Sequence, residues 1–426
     1  FLNNFISSSL SNWISFKTMG FNSSKDELNK LDPKFSNLKK IQNAFLHCYF
    51  DRKNTDQVFR KLAQSEETDF SRYNYFYSIY LINTNRNNLA RESINFSLKL
   101  YPRNLLLNQL KLDIQTKKTN YSFNCQNEQH VIAELLYITA NALSSQSIYI
   151  TSNFYLNLAK YLNKNFNSFD TLLAENLYKI DNYSESKKVY DKISREGSAF
   201  FWHSTTQKAK ILIMENKTEK ALKLMEQAFA KIPNTNIYQK FDYAEFLKNN
   251  QQYEKAINFY SEVLKIIDRE HKLFAEVKDG RGVAYERLGQ WKNAEKDLLS
   301  SLESNPKQAY VINYLAYSWI EQGINIDKSL SMLQEANDLK ENDPFIIDSL
   351  GWAFFKLKKY KLSKKYLQQA VELMPDDPIV NDHFGDALWK NGNKIQARYY
   401  WNYVLKLKKT EDELKDKIKE KLISGI

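Results

Sequence analysis

The sequence predicts an all-α fold, an α-α superhelix or solenoid of stacked helical hairpins, and three observations predict it. Small residues recur at Ala140, Ala174, Ala209, Ala244, Gly282, Ala316, Gly351 and Gly385, in steps of 34, 35, 35, 38, 34, 35 and 34 residues. A fixed period of that length marks a repeat array. A second small residue follows each of these, at Ser152, Ser186, Ala221, Ala256, Ala294, Ser329, Ser363 and Ala397. Two antiparallel helices approach closely only where the seam side chains are small. Finally, 10 Gly and 7 Pro in 426 residues argue against a loop-rich or strand-rich chain, while 43% apolar residues, with 27 Tyr and 26 Phe, suffice for a continuous core.

The clearest unit is PFIIDSLGWAFFKLKKYKLSKKYLQQAVELMPDD, residues 344–377. Counted from Pro344, Ile347, Leu350, Gly351, Phe354, Ser363, Leu367, Ala370 and Pro375 fall at 4, 7, 8, 11, 20, 24, 27 and 32. Gly351 is expected to face Ser363 and Ala370, with the larger residues filling the seam. Pro375 ends the second helix, since proline cannot continue the hydrogen-bond ladder. These are the positions of a tetratricopeptide repeat, which the segment resembles; the resemblance extends over about residues 37–411.

Residues 1–36 read as an N-terminal helical cap or degenerate repeat, because Phe1, Leu2, Phe5, Ile6, Leu10, Trp13, Ile14 and Phe16 follow helical spacing. Residues 37–104 hold two divergent hairpins. The first has Ala44 and Ala63 in the small positions but His47 and Asp56 where Tyr and Ala are usual; the second, 71–104, carries Ser78, Ala90, Ser97 and Pro102 in register. Residues 105–132 break the register: LLLNQLKLDIQTKK reads as a helix, and the polar stretch after it as an irregular insertion or elbow where the superhelix changes direction. Eight consecutive hairpins then occupy 133–411, with Ser329 needing a one-residue insertion in the turn from Gln322 to Asn325. The longest step contains four extra residues, 271–274, expected to lengthen a helix by about one turn. Residues 412–426 form a C-terminal capping helix with the narrow stripe Leu414, Ile418 and Leu422, and Thr410 with Glu413 has the form of a capping box.

The net charge of +11 is concentrated at the front, where residues 1–132 carry 18 Lys/Arg against 11 Asp/Glu; residues 309–426 carry 18 against 17. No run of eighteen apolar residues occurs, so no transmembrane segment is expected. The first residue is Phe1, as in a processed, trimmed or partial chain. Cys48 and Cys125 lie 77 residues apart, in what read as different repeats, with no CxxC or His-rich neighbourhood. Neither a disulfide nor a metal framework is therefore expected: Cys48 reads as a small buried residue and Cys125 as a loop residue.

In arrays of this resemblance, the first helix of each hairpin lines a concave groove through positions 2, 5, 9, 12 and 13. Carried onto this sequence, that implies a partner-binding groove of Tyr310, Asn313 and Tyr317, then Phe345, Asp348, Trp352 and Phe355, then Ile379, Asp382, Asp386 and Trp389. Aromatics interleaved with carboxylates suit a segment bearing apolar anchors and Lys or Arg. The corresponding middle residues, among them His203, Lys210, Glu245, Asp279 and Arg287, imply no single ligand. A clamp for a C-terminal carboxylate, with Lys then Asn at positions 5 and 9, is not matched by Tyr137/Asn141, Thr171/Glu175 or Thr206/Lys210. His383 with Asp382 and Asp386 is the one cluster with acid–base or metal residue types. No nucleophile, phosphate loop or HExxH accompanies it, so no catalytic residue, metal or cofactor is expected. The lysine run 356–365 reads as a solvated outer face.

NYLAYSWIEQG, DSLGWAFFKLKKY and NDHFGDALWKNG in succession resemble the C-terminal array of long bacterial tetratricopeptide proteins, a group that includes lipoprotein adaptors scaffolding a carboxy-terminal processing protease and its substrates in the envelope. The resemblance implies a non-enzymatic scaffold or adaptor with a protein or peptide partner, such as an envelope protease or assembly complex. It favours the bacterial periplasm or a membrane-associated site and leaves the cytoplasm open. Two alternatives stand beside it. One is an RNA-binding helical array, compatible with a pI of about 9.1 but not with an acidic groove, so that nucleic acid is not expected. The other is the regulatory array of an enzyme whose catalytic part lies outside this chain.

Overall fold

The computed structural model describes residues 2–63, 71–116, 118 and 121–426. Phe1 and the side chains of Leu2 and Phe5, part of the predicted N-terminal stripe, lie outside the described residues. The fold is all-α, with 24 α-helices and one 3-10 turn among the described residues. It divides into two compact units, 1–239 and 240–426.

The first unit opens with α1 (Leu2–Met19), α2 (Phe21–Asn29), α3 (Ser36–Tyr49), α4 (Thr55–Ala63), α5 (Ser71–Asn83) and α6 (Asn87–Leu100). The unpaired helix α7 (Leu105–Gln115) follows. Three hairpins complete the unit: α8 (Glu128–Ser145) with α9 (Tyr149–Leu162), α10 (Ser168–Lys179) with α11 (Tyr183–Ile193), and α12 (Ser198–Met214) with α13 (Thr218–Ala230). Trp13 and Phe16 of the N-terminal stripe are buried, and the Trp13 Nε1 donates to Gln42 Oε1 at 3.1 Å. The side chain of Gln109 in α7 accepts from the Ala199 backbone N–H, which fastens this unpaired helix to α12.

The second unit begins within the first turn of α14 (Ile237–Asn249) and holds five hairpins. They are α14 with α15 (Tyr253–Leu264), α16 (Phe274–Arg287) with α17 (Trp291–Ser304), α18 (Ala309–Gln322) with α19 (Ile326–Leu339), α20 (Pro344–Lys356) with α21 (Tyr360–Leu373), and α22 (Pro378–Lys390) with α23 (Lys394–Val404). Helix α24 (Asp412–Ser424) follows.

All sixteen small residues of the 34-residue period are buried. The seam explains why. Ser152 and Ser186 donate their hydroxyls across it to the carbonyls of Ala140 and Ala174, at 2.7 and 2.8 Å. A Cβ on Gly351 would lie 2.7 Å from Leu367 Cγ and 3.1 Å from the Leu367 backbone N, so the neighbour that demands glycine is Leu367, not Ser363 or Ala370 as the spacing suggested.

All ten hairpin turns between α3 and α23 close in the same way. A residue takes left-handed φ, and the next N–H reaches back five residues to a helix carbonyl, as Lys359 N to Phe354 O and Asn393 N to Leu388 O do; the turn after α18 has a second left-handed residue, Asn325. This satisfies carbonyls that the helix end leaves without partners. The left-handed residue is Gly only at 289, 323 and 392; elsewhere it is Asp51, Asn85, Ser147, Asp181, Asn216, Gln251 or Lys358. Lys358, at φ 58°, bears the steric cost of a long side chain in that region. Lys358→Gly is expected to raise unfolding stability by about 1 kcal/mol, the relieved strain exceeding the added unfolded-state entropy. An unchanged or lower denaturation midpoint would refute this.

Three expectations are corrected. The four extra residues 271–274 do not lengthen a helix but enlarge the connection between Leu264 and Phe274. Buried Leu273 and the bond from Phe274 N to His271 O hold that connection in a compact turn. The capping box is absent: Thr410 is buried and donates instead to the Val404 carbonyl at 2.6 Å, and the N-cap of α24 is Glu411, without a side-chain cap bond. Lastly, Cys48 and Cys125 form a disulfide, with Cα atoms 5.9 Å apart. The polar segment 121–127 is no loose insertion, because Phe123 buries itself against Phe45, Phe76 and Phe166 and carries Cys125 to α3.

Candidate functional site

The first helices of the last two hairpins are fixed by capped N-termini, whereas α18 starts after Gln308 without a side-chain cap bond. Asp343 and Asp377 cap α20 and α22, accepting from the N–H groups of 345/346 and 379/380, with a proline at the first helical position of each. This sets position 2 of α20 and α22 at an exposed lip, and position 2 of α18 is exposed as well. Tyr310, Phe345 and Ile379 stand 53, 54 and 46% exposed, a row of large apolar side chains one hairpin apart. Tyr310 is oriented by its hydroxyl bond to Asp343 Oδ2 at 2.8 Å and by Lys340 over its ring at 3.9 Å.

Positions 5 and 9 meet groups from the chain itself. Asp348 accepts from His383 Nδ1 of the next hairpin at 3.0 Å. Trp352 lies flat against His383 at 4.0 Å and Phe355 at 4.7 Å, and its Nε1 donates to Glu321 at 2.5 Å. Asp382 and Asp386 both grip Lys421 Nζ of α24, at 2.7–2.9 Å, and Asp386 also accepts from Trp401 Nε1 at 3.1 Å. Asp348, Trp352, Asp382 and Asp386 are consequently buried, whereas Asn313, Tyr317, Phe355 and Trp389 are half-buried. The Asn313 Oδ1 is enclosed without a hydrogen-bond partner. Trp389 packs on Trp401 at 5.3 Å under the cations of Lys394 and Arg398.

The sequence cluster around His383 is therefore split in space: the imidazole turns to Asp348, and the two neighbouring carboxylates turn to Lys421. Among the described residues no group of three or more His, Cys, Asp or Glu is arranged to hold a metal ion. Lys421 and Glu321 were not legible as site residues, since a lysine in a highly charged terminal helix resembles any solvated cation. The one signal for Lys421 was the pair of carboxylates at Asp382 and Asp386, one turn apart on one helix face.

Titration in this region has a definite sign. Burial works against a charged His383, but the Asp348 carboxylate outweighs it and the imidazole pKa is raised above 6.5. The stability it contributes is fully present below pH 6.5 and is lost as pH rises through the raised value. Asp386 is pushed up to about 6 by burial and by Asp382, against the pull of Lys421, so its ionisation also lowers stability as pH rises from 3.8 to about 6. In the first unit, burial and Lys210 lower His203 to about 4, so its contribution is lost as pH falls from 6.5 toward 4. Above pH 6.5 the His383 effect stands alone among these three groups. Wild-type melting temperature is expected to decline from pH 6.5 to 8.5, and His383→Gln to flatten that decline; an equal slope in the variant would refute it.

The family described as tetratricopeptide repeat matches residues 348–377, the segment holding Asp348, Trp352 and Phe355. The TPR repeat-containing protein PA4667 of Pseudomonas aeruginosa is 27% identical over 157 residues, 37% of this chain and 26% of that protein. The chain thus spans about a quarter of that relative's length. Among solved structures, the C-terminal part of a TPR repeat-containing protein from Cytophaga hutchinsonii aligns with a TM-score of 0.37 at 18% identity, covering 57% of this chain and 97% of that one. YrrB, described as a TPR protein with an unusual peptide-binding site, aligns with a TM-score of 0.34 at 17% identity, covering 43% and 92%.

Proposed function

We propose that this chain, an array of helical hairpins of which residues 348–377 match the tetratricopeptide repeat family, is a non-enzymatic interaction scaffold whose first-helix face along α18, α20 and α22 holds a segment of a partner protein. The observation that carries this reading is the exposed row Tyr310, Phe345 and Ile379. Large apolar side chains at regular spacing on one face supply anchoring area for a partner segment. The half-buried carboxylate of Asp377 beside Ile379 biases the partner toward Lys and Arg near its apolar anchors, whereas Asp343 is already paired with Lys340. The Cys48–Cys125 disulfide favours an oxidising compartment, such as the periplasm of a bacterium, over the cytoplasm. No described helix is long and apolar enough to cross a membrane.

The test substitutes the exposed row and spares the buried residues. Phe345→Asp with Ile379→Asp is expected to leave helicity intact and melting within about 2 °C, since exposed sites shift stability by about 0.5 kcal/mol each. The same variant should weaken capture of the wild-type chain's partner at least tenfold, as loss of interface anchors does. Unchanged capture by the folded variant would refute the reading.

A further inference from the structure

We infer that Asp382, Asp386 and Trp389 form a receptor for a helix bearing a single lysine or arginine, and that α24 is its built-in occupant, displaced when a partner supplies such a helix. This rests on the reading that the first-helix face of the second unit receives the partner.

The receptor has the chemistry of a cation site. The side chains of Asp382 and Asp386 are 11 and 6% exposed and one helical turn apart. Two buried carboxylates side by side are costly unless a cation joins them. Lys421 supplies that cation with bonds to all four carboxylate oxygens, and its ammonium lies 6.0 Å from the centre of the Trp401 ring. Beside it the backbone of Gly425, at φ 76°, lies so close to Trp389 that a Cβ there would overlap the indole ring. Lys390 donates to the Ile426 carbonyl at 3.0 Å, fixing the end of the segment over the same pocket. A segment that replaces α24 must bring its own cation, which sets the class of ligand.

The occupant is weakly anchored by comparison with its receptor. Of the 13 residues of α24 only Ile418 is buried, with Leu414 and Leu422 half-buried, whereas α22 buries ten of its 13. Three further ion pairs of α24, Lys415–Asp412, Lys417–Glu413 and Lys419–Asp416, lie within the helix. They persist on undocking and support the free helix. Its N-cap makes no side-chain bond, and residues 405–411 tether it. The partner helix that fits carries Lys or Arg three residues after an aliphatic anchor, as Lys421 follows Ile418.

The probe is a fluorescein-labelled synthetic peptide of residues 410–426, titrated into the full chain. Against wild type, an Ile418→Asp/Lys421→Ala chain, whose own α24 is undocked, is expected to bind it at least tenfold more tightly. A peptide with Lys421→Ala should bind that chain at least tenfold more weakly. Equal binding by the two chains, equal binding of the two peptides, or no binding would overturn the inference. Hydrogen exchange on the wild-type chain guards against a variant that fails to fold: the α24 amides are expected to exchange at least a hundredfold faster than those of α22, and equal rates would overturn displacement. The Phe345→Asp/Ile379→Asp substitutions separate this from the functional reading. Peptide binding retained while these substitutions leave partner capture intact sinks the reading alone; failed peptide binding with partner capture sensitive to them sinks this inference alone.

Discussion

Replacing Cys48 and Cys125 together by serine is expected to lower the unfolding free energy of the first unit by about 4 kcal/mol, the value for a closed loop of this length. The bond joins α3 to segment 121–127, 77 residues on, and closes it over the aromatic cluster of Phe45, Phe76 and Phe123. Without it the unfolded chain regains freedom, and a segment with little regular structure is left held by Phe123 and by the bond from Asn163 Nδ2 to the Ser122 carbonyl. Guanidinium unfolding of the oxidised, reduced and doubly substituted proteins measures the effect. Reduction and substitution should agree, and a loss below about 1 kcal/mol in both would mean that the aromatic packing alone holds the segment.

Arg72→Met is expected to cost about 4 kcal/mol, the largest effect foreseen for a single polar side chain. Arg72 holds three hairpins together: its guanidinium makes paired bonds to Glu134 at 2.6 and 2.7 Å, reaches Ser168 Oγ at 2.6 Å, and lies 3.8 Å from the centre of the Tyr137 ring. Glu134 has no exposed surface, so losing the cation strands a buried carboxylate. Burial already raises the Glu134 pKa against the pull of Arg72, which is why the pair cannot be halved cheaply. The double variant Arg72→Met/Glu134→Leu should recover at least half of the loss. Additive losses in the double-mutant cycle would show that the two side chains act independently.

These effects mark where the sequence could and could not be read. The small residues at Ala140 through Gly385 were legible because a close helix seam admits nothing larger, and that constraint acts on residue type directly. The left-handed residue of each turn was not, since in seven of the ten turns it is Asp, Asn, Ser, Gln or Lys in place of Gly. The disulfide was hidden for a related reason: 77 residues of sequence separation carry no trace of the 5.9 Å between the two Cα atoms. At the site, the column of first-helix positions followed from the period, but what each would meet did not. Asp348 and Trp352 look like ligand contacts until His383 of the next hairpin and Glu321 of the preceding one fill the space around them. Position 2 differs because the helix N-terminus holds Phe345 and Ile379 at the lip, clear of the neighbouring hairpin.

The most direct measurement is site-specific photocrosslinking in the source cell, with a photoreactive residue replacing Phe345, Ile379 or, as a control, Leu362, which is 43% exposed on the second helix α21. The account predicts one common partner crosslinked from positions 345 and 379 and absent from 362. Crosslinks from 362 with none from 345 or 379 would contradict it and move the interaction to the second-helix face.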